Sequence, residues 1–533
     1  MRGAWGAAAV AIALPAAGAC TPEVEGATLR VLAGSELADM EPLLEASAER
    51  TGVRLELEYS GTLDGTERVA AGRADGFDAV WFPSNRYLHL VDEGRSTIHT
   101  ETSVMLSPVV LGVLESRAEA FGWTVADGIV PDLTWEDITV AVEREGLTYG
   151  MSSPAASNSG FSALVGAASA MADTGAALES EDVAGVEERL ETFFSGQGLT
   201  AGSSGWLMDE FVLRQAGDAE AQGSPLDGVL NYESVLLSRG PDLAGDDLAL
   251  VYPEDGVVTA DHPLTLRSGA SEELVEAYER VVADLTSEEV QTEIAETTFR
   301  RPVTAEAAGR DLPPMVELPF PARRDVVDDL VAAYFAELRR PARTVYVLDV
   351  SGSMAADRID DLRASLTALT GADEGPLSSR GQTFQAREEV TLLPFSDVPE
   401  EPLTFVLEPD GSAKVRAELA DEVAALEAGG ETAAYDAVER AYELLEEAGE
   451  DSHLLSVVLM TDGEVNQGMD LDELLGSLAE APSRVEAAPV FTVLFGDADA
   501  AEMERLSSWT GGRVFDAREM ELEQVFREIR GYQ

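Results

Sequence analysis

An Asp and two Ser stand at alternate positions directly after an apolar run, so one short segment offers three oxygen ligands. The run covers residues 344–348, and the polar residues are Asp349, Ser351 and Ser353. An apolar run that ends in a Gly-containing turn predicts a buried strand with these side chains at its end. One carboxylate and two hydroxyls are hard donors that suit Mg²⁺, Mn²⁺ or Ca²⁺. Taken alone, the segment fits a polar turn and helix cap equally well.

Two later segments supply the remaining oxygen donors. Thr432 lies in the Gly-Gly-Glu-Thr sequence that opens a predicted helix, and Asp462 follows Thr461 at the end of the apolar run 454–460. Three dispersed pieces in this order and context favour a metal site over a simple turn. The Asp-x-Ser-x-Ser, Thr, Asp arrangement resembles the metal-ion-dependent adhesion site of von Willebrand factor type A domains.

That resemblance implies a role for each residue. Ser351, Ser353 and Thr432 contact the metal directly, while Asp349 and Asp462 act mostly through bound water. Because few direct ligands are anionic, the cation stays electrophilic and recruits a carboxylate from an extracytoplasmic partner protein. The expected cofactor is Mg²⁺ or Mn²⁺, and Ca²⁺ is compatible with the same donors. The chain has only 4 His and no evident hydrolase spacing, so a hydrolase is the least favoured class and we expect no enzyme.

Strands and helices alternate around the motif, which predicts a doubly wound α/β sheet over residues 344–533. The central runs are continuously apolar, as in parallel strands covered on both faces. Open sheets of this kind bind ligands at the carboxyl ends of their strands, where the motif falls. The predicted strands are 344–349, 389–395, 403–407, 454–460, 489–495 and 513–515, and the predicted helices are 357–370, 412–427, 432–448, 470–480, 499–510 and 519–530.

Residues 1–20 have the layout of a secretion signal: one Arg, a short Ala-rich stretch and small residues before Cys20. Cys20 is the only cysteine of the chain, so it has no disulfide partner within it. The Gly-Ala-Cys sequence resembles the cleavage box of a bacterial lipoprotein, which implies lipid modification of Cys20 and a spacer at 21–26. Ala17 stands where Leu is usual, and an ordinary signal peptide with an incidental Cys is the alternative.

Net charge limits the partners. With 100 acidic and 36 basic residues the formal charge is −64, so nucleic acid and anionic lipid surfaces would be approached against a repulsive field. We therefore expect no nucleic acid partner and contact with the membrane only through the lipid anchor. The predicted location is the extracytoplasmic face of the cell membrane.

Residues 27–305 repeat a strand, a hydroxyl-bearing loop and a helix, and this unit resembles a two-lobed extracellular solute-binding protein of the molybdate and polyamine receptor type. The resemblance implies lobe one at 27–104 and 262–305, lobe two at 105–261, and a hinge near 105–112 and 255–263. A small-molecule ligand would close the lobes by bridging the cleft. The candidate ligand contacts are Ser35, Thr62 and Ser84 from lobe one and Ser157, Ser159 and Tyr232 from lobe two; capping or turn formation is the open alternative for each.

Residues 306–343 form the predicted linker. Its prolines break regular structure, and a helix over about 323–339 carries an apolar stripe that we assign to the domain interface. Two functions follow from these parts. The first is a surface-tethered protein that binds a carboxylate of a partner protein through the metal site. The alternative is the substrate-binding receptor of an ABC-type importer with an accessory metal domain.

Overall fold

A computed structural model gives the fold. It describes residues 26–74, 76–91, 96–216, 225–243, 245–304, 312–371, 377–380, 383–409, 412–449, 453–462, 465–482, 485, 487–495, 500–518, 520, 525–526 and 529–530. The predicted signal sequence and Cys20 lie outside the described residues, as does Gly463. Within the described part, no helix combines the length and the apolar character needed to cross a bilayer.

The first half of the chain contains thirteen strands in its described residues. They are β1 (Ala27–Ala33), β2 (Val53–Tyr59), β3 (Ala79–Trp81), β4 (Ile98–Ser103), β5 (Met105–Leu114), β6 (Ile129–Val130), β7 (Tyr149–Ser152), β8 (Gln197–Ala201), β9 (Gly228–Tyr232), β10 (Leu248–Val251), β11 (Thr259–Ala260), β12 (Pro263–Arg267) and β13 (Arg301–Pro302).

The helices of the same region are α1 (Glu41–Thr51), α2 (Thr62–Ala70), α3 (Arg86–Leu90), α4 (Glu115–Ala120), α5 (Trp135–Glu145), α6 (Asn158–Ala172), α7 (Ser180–Ser195), α8 (Ser204–Ala216), α9 (Glu233–Arg239), α10 (Glu272–Leu285) and α11 (Glu288–Thr298). Short 3₁₀ turns occupy Ser35–Met40 and Gly240–Asp242. Most of these helices start directly after a strand or a short loop, as in strand–helix units that cover a sheet.

These elements form two lobes, each with its own sheet. In lobe one the strand order is β2-β1-β3-β12-β4, and in lobe two it is β6-β10-β5-β9-β7-β8. The chain returns from lobe two to lobe one between β11 and β12, while β11 and β13 both pair antiparallel with β5. The long strand β5 therefore borders both crossovers.

A helix connects the lobes to the last sheet. It comprises α12 (Arg324–Ala333) and a π-helical turn at Tyr334–Leu338. Its apolar stripe is buried at Val326, Val327, Leu330, Val331, Tyr334, Phe335 and Leu338. The Tyr334 hydroxyl donates to Oε1 of Gln197 at 2.9 Å, and its ring packs edge-on against Phe194. The helix is thereby fixed to lobe two.

The linker helix and the last sheet also contact lobe one. The Tyr87 hydroxyl of α3 donates to Oδ1 of Asp328 at 3.0 Å. Glu67 of α2 accepts hydrogen bonds from the backbone N–H and the hydroxyl of Ser378, and both residues are buried. Leu377 is buried in the same apolar cluster as residues of α2 and α3. The segment around Ser378 thus bridges from the C-terminal domain to lobe one.

The last region is one six-stranded sheet in the order β16-β15-β14-β17-β18-β19. Its strands are β14 (Ala342–Asp349), β15 (Glu389–Phe395), β16 (Leu403–Val406), β17 (Leu454–Thr461), β18 (Val490–Leu494) and β19 (Val514–Asp516), and its helices are α13 (Asp357–Leu369), α14 (Leu377–Arg380), α15 (Ser412–Ala424), α16 (Ala434–Glu447), α17 (Leu471–Leu478) and α18 (Ala500–Trp509). All neighbours are parallel except the edge strand β16, which is antiparallel to β15. The predicted α/β class, a two-lobed unit followed by a doubly wound sheet, is confirmed.

The strand order sets the place of a ligand site. From β14 the chain moves first to β15 and β16 on one side and then to β17 on the other, so the order reverses between β14 and β17. Ligands of open α/β sheets bind outside the carboxyl ends of the strands at this reversal. Both strands are apolar and buried along most of their length. They end at Asp349 and Thr461, next to the predicted metal ligands.

Candidate functional site

Asp349 is the last residue of β14 and is fully buried. Its Oδ1 accepts the backbone N–H of Ser351 at 2.8 Å, and its Oδ2 accepts the Thr461 hydroxyl at 2.6 Å. Burial raises the pKa of Asp349, and the hydrogen bonds from Ser351 and Thr461 act in the opposite direction. The carboxylate therefore ties the turn after β14 to the end of β17.

A chain of hydroxyls leads outward from this anchor. The Oγ atoms of Ser351 and Ser353 lie 3.0 Å apart, and the Ser353 hydroxyl donates to Oδ1 of Asp462 at 2.8 Å. Ser351 and Asp462 are buried, whereas Ser353 is exposed in the 3₁₀ turn Gly352–Met354. The donors form a short row that runs from the sheet to the surface.

Thr432 reaches the same edge on a neighbouring loop. The carbonyl of Gly430 accepts the N–H of Gly352 at 3.0 Å, and the N–H of Gly429 donates to the carbonyl of Val350 at 2.7 Å. Gly430 has a φ of +95°, a backbone conformation that favours glycine. Thr432 is buried, and its N–H donates to Oδ1 of Asn466 at 2.9 Å. The loop of Thr432 is thus hydrogen-bonded to the loop of Ser351 and Ser353.

The structure therefore brings the five predicted metal ligands to one edge of the sheet. Asp349, Ser351, Ser353 and Asp462 are joined by direct hydrogen bonds within the set. The loop of Thr432 is joined to them through the backbones of Gly429 and Gly430. Two carboxylates and three hydroxyls fit a hard divalent cation such as Mg²⁺ or Mn²⁺. Among the described residues, no group of three or more carboxylate, His or Cys side chains could hold a metal. The predicted donor set therefore fits a cation site in which hydroxyls outnumber carboxylates.

Arg358 is a site residue that the sequence analysis missed. It is the second residue of α13, and its Nη1 pairs with Oδ2 of Asp462. The same Nη1 donates to the carbonyl of Ser353 at 3.3 Å. The Asp462 side chain has no solvent exposure, while that of Arg358 is 39% exposed. A basic residue in the first turn after the Asp-x-Ser-x-Ser motif is the only sequence signal for this contact.

The predicted cleft residues fall in different environments. Ser35 is exposed, and Thr62 is a buried residue in the first turn of α2. The Ser84 hydroxyl accepts the N–H of Arg86 at 3.3 Å, which is a turn contact. For Ser84 the observed contact matches the alternative of turn formation. None of these three side chains has a described contact across the cleft.

On lobe two the predicted residues form buried networks. Ser159 lies 2.7 Å from the hydroxyl of Ser152 and 3.0 Å from that of Ser157. The Tyr232 hydroxyl accepts the side-chain amide of Asn158 at 3.0 Å, at the start of α6. Burial raises the pKa of Tyr232 well above its usual value. These contacts hold the loop before α6 against the end of β9.

A cluster of Glu36, His262 and Arg300 lies beside Tyr232 and was not predicted. His262 is 1% exposed, and neither ring nitrogen has a hydrogen-bond partner among the described residues. Its ring centroid lies 6.3 Å from that of Tyr232. Burial, with a smaller contribution from the Arg300 charge, lowers the pKa of His262 well below its usual value. This neutral imidazole at the return crossover is a candidate ligand contact.

Glu36 supplies the acidic part of the cluster. Its Oε1 is out of contact with solvent and has no partner in the described part of the chain. Burial raises the pKa of Glu36 to about 7, although the Arg300 charge lowers it. Arg300 donates to the Glu36 carbonyl and to Oδ2 of Asp39, each at 2.7 Å. At a separate position, a Cβ on Gly61 would lie 2.8 Å from the carbonyl oxygen of Ala156, so lobe one and lobe two approach closely at these two residues.

Comparison with known proteins shows that residues 345–528 match the family model of the von Willebrand factor type A domain. No functionally curated protein matches the chain. The chain is similar to the periplasmic binding protein AfuA from Actinobacillus pleuropneumoniae, at 12% identity and a TM-score of 0.45 over 58% of this chain and 98% of that one.

Two further structures match different regions. The sulfate-binding protein SubI from Mycobacterium tuberculosis is 19% identical with a TM-score of 0.39 over 55% of this chain and 94% of that one. A von Willebrand factor type A protein from Catenulispora acidiphila is 19% identical with a TM-score of 0.29 over 36% of this chain and 42% of that one. The family match assigns residues 345–528 to a von Willebrand factor type A domain.

Proposed function

We propose that this protein is a cell-surface lipoprotein that binds a carboxylate of an extracytoplasmic protein through a divalent cation. The cation is Mg²⁺ or Mn²⁺, held by Ser351, Ser353 and Thr432, with Asp349 and Asp462 behind them. The observation that carries the proposal is the row of oxygen donors from buried Asp349 to exposed Ser353. When bound, the metal supplies a Lewis-acidic position for an incoming anion. Binding without turnover, and so no enzymatic activity, is part of the proposal.

The chain's own residues provide the framework for this binding. Asp349 fixes the serine loop and does not need to move, because its two oxygens are already engaged by Ser351 and Thr461. The hydroxyls of Ser351 and Ser353 hydrogen-bond within the site, so they can turn toward a cation. The loops that surround Ser353 are exposed at Gly352, Asp397 and Glu431. A partner side chain therefore has access to the outer end of the row.

Partner capture with and without a chelator tests the proposal. The full-length chain is immobilised and incubated with cell-envelope extract in Mg²⁺, in Mn²⁺ and in EDTA. We expect specific partners in either metal, and their loss in EDTA and in Ser351→Ala or Thr432→Ala proteins. Thr367→Ala is the matched control, because Thr367 is exposed on α13 and outside the donor row. Partners retained equally in EDTA would contradict a metal-bridged contact.

The importer-receptor alternative is favoured by a different observation, the unpartnered nitrogens of His262 and the unpartnered Oε1 of Glu36 near the lobe boundary. Buried polar groups without partners are rare, and a bound ligand is one way to satisfy them. Calorimetric screening of the full chain against oxyanions, polyamines and sugars tests this alternative. A ligand that binds the wild type but not His262→Phe, and that makes the protein more compact in solution scattering, would support it.

Membrane attachment is a separate part of the proposal. Cys20 is the proposed acylation site, and acyl chains would hold the protein on the extracytoplasmic face. We expect Cys20→Ala to release the protein from membranes or to block its processing, as followed by cell fractionation and mass spectrometry of the mature N-terminus. Unchanged membrane retention and processing in that variant would refute lipid anchoring at this residue.

A further inference from the structure

We propose that Arg358 is a built-in counter-ion that competes with the divalent cation for Asp462 and thereby lowers the metal affinity of the site. This inference rests on the proposed metal site. The donor row contains hydroxyls that carry no charge and two carboxylates that do, so the charge balance of the site depends on what faces Asp349 and Asp462. Arg358 is the basic residue that contacts this set among the described residues.

The contact uses Asp462, the carboxylate that is hydrogen-bonded to Ser353. Asp462 has one oxygen on the Ser353 hydroxyl and the other on Nη1 of Arg358. Its side chain has no solvent exposure, and a buried carboxylate is costly unless it is paired. Asp349 is a second acidic group in this region, since the charges of the two carboxylates interact. Without a metal, Arg358 therefore supplies the positive charge that pairs with Asp462.

A divalent cation bound in the donor row would change the charge balance of the site. It would share Asp462 with Arg358 and repel the guanidinium at short range. The Arg358 side chain is 39% exposed, so it has a path toward solvent when it leaves Asp462. Loading the site thus includes the loss of one charge-assisted hydrogen bond. Arg358 thus stabilises the metal-free protein and opposes metal binding. Its removal should therefore destabilise the metal-free protein and strengthen metal binding.

Titration of Mg²⁺ and Mn²⁺ into the full-length chain tests this. Arg358→Gln keeps the side-chain length and removes the charge, and Arg358→Lys keeps the charge without the planar fork. We expect Arg358→Gln to bind either metal about tenfold more tightly by calorimetry, with Arg358→Lys close to wild type. Arg440→Gln is the charge-matched control, because Arg440 pairs with Glu443 and Glu447 on α16. Its metal affinity should equal that of the wild type.

Thermal unfolding provides the second readout. In EDTA, Arg358→Gln should melt below the wild type, and saturating Mg²⁺ should raise its midpoint by more than it raises that of the wild type. In an Asp462→Asn background the Arg358→Gln change should no longer alter metal affinity. Equal or weaker metal binding by Arg358→Gln, with a wild type that binds, overturns the counter-ion role alone. A wild type that binds neither metal at millimolar concentration overturns the proposed metal site and this inference together.

Discussion

At the scale of single residues, the proposed metal site depends on which oxygens are anchored and which are exchangeable. Asp349 is engaged on both oxygens by Ser351 and Thr461, so it behaves as part of the scaffold. Ser351 and Ser353 bond to one another and to Asp462, so they can exchange those bonds for a cation. Thr461 is therefore a support for the site although it is not among the predicted ligands.

Replacing Thr461 with Val tests whether the Thr461 hydroxyl supports the proposed metal site through Asp349. Thr461 is fully buried, and its hydroxyl is 2.6 Å from Oδ2 of Asp349. Val has nearly the same shape, so the change mainly leaves a buried carboxylate oxygen without its donor. We expect the free energy of unfolding to fall by about 1–3 kcal/mol in EDTA, measured by urea denaturation, with weaker Mg²⁺ binding. Thr492→Val, which removes a buried hydroxyl pair between β18 and Ser507 of α18, should lose stability but keep the metal affinity. An unaltered Mg²⁺ affinity in Thr461→Val would refute the supporting role.

Glu36 gives a prediction about pH. Its pKa in the folded chain is about 7 because of burial, against an ordinary value of 4.5. The folded state therefore retains a proton that the unfolded state releases between these two values. The stabilising contribution of Glu36 is complete below pH 4.5 and is lost as pH rises toward 7. Over this interval we expect the wild type to lose about 1–3 kcal/mol relative to Glu36→Gln, measured by urea unfolding at pH 4.5, 5.5 and 7. Parallel pH curves for the two proteins would contradict this.

The position of the five proposed metal ligands at one edge of the sheet follows from the sequence, because the motif fixes their types and the apolar runs fix where the strands end; that they bind a metal stays a prediction. Arg358, Glu36 and His262 were not predicted, for a physical reason. Arg358 acquires its role from Asp462, a partner far along the chain, and Glu36 and His262 acquire theirs from burial. The local sequence does not show which polar side chains tertiary packing will bury or pair. The cleft serines, chosen by residue type alone, include exposed Ser35 and the turn residue Ser84.

At the scale of elements, the strands of the last sheet were predicted to within two residues because buried parallel strands are continuous apolar runs. The antiparallel edge strand β16 was found as a strand, but its direction depends on pairing with β15. The linker helix was predicted over 323–339, whereas its last turn at Tyr334–Leu338 is π-helical. The predicted helix at 519–530 falls mainly outside the described residues. Hydrophobic periodicity thus locates elements but does not determine their pairing or their end geometry.

The loop that carries Thr432 gives a prediction with an adjacent control. Gly430 has a φ of +95°, and a Cβ there would lie 3.0 Å from Cβ of Ser396. Gly429, one residue earlier, has no atom within 4 Å of such a Cβ. We expect Gly430→Ala to lower the unfolding free energy by about 1–3 kcal/mol and to weaken Mg²⁺ binding, because the loop must shift. Gly429→Ala should leave both close to wild type, as measured by thermal unfolding and calorimetry. Equal behaviour of the two variants would rule out the loop as a determinant of the site.

At the scale of the whole molecule, the three sheets are joined by more than a linker. The helix Arg324–Ala333 and its π-helical end pack on lobe two, whereas Tyr87 of lobe one bonds to Asp328. Glu67 of α2 is held by Ser378 of the metal domain. The N-terminal end of α2 follows Gly61, which closely approaches lobe two at Ala156. One helix of lobe one therefore contacts both the metal domain and the lobe boundary.

Amide hydrogen exchange on Ser378→Ala tests this connection. Glu67 is buried, burial raises its pKa, and it accepts hydrogen bonds from the Ser378 hydroxyl and from the backbone N–H groups of Ser378 and Leu377. Without the hydroxyl, the buried carboxyl group of Glu67 loses its side-chain donor, and the contact between α2 and the metal domain weakens. We expect amides of α2 to exchange several-fold faster, because local opening of the contact becomes easier. Amides of α10 should be unchanged, because α10 packs on α1 and β1 elsewhere in lobe one. If α2 and α10 kept their wild-type rates, the Ser378 contact would not couple the metal domain to lobe one, and the two units would respond to their ligands independently.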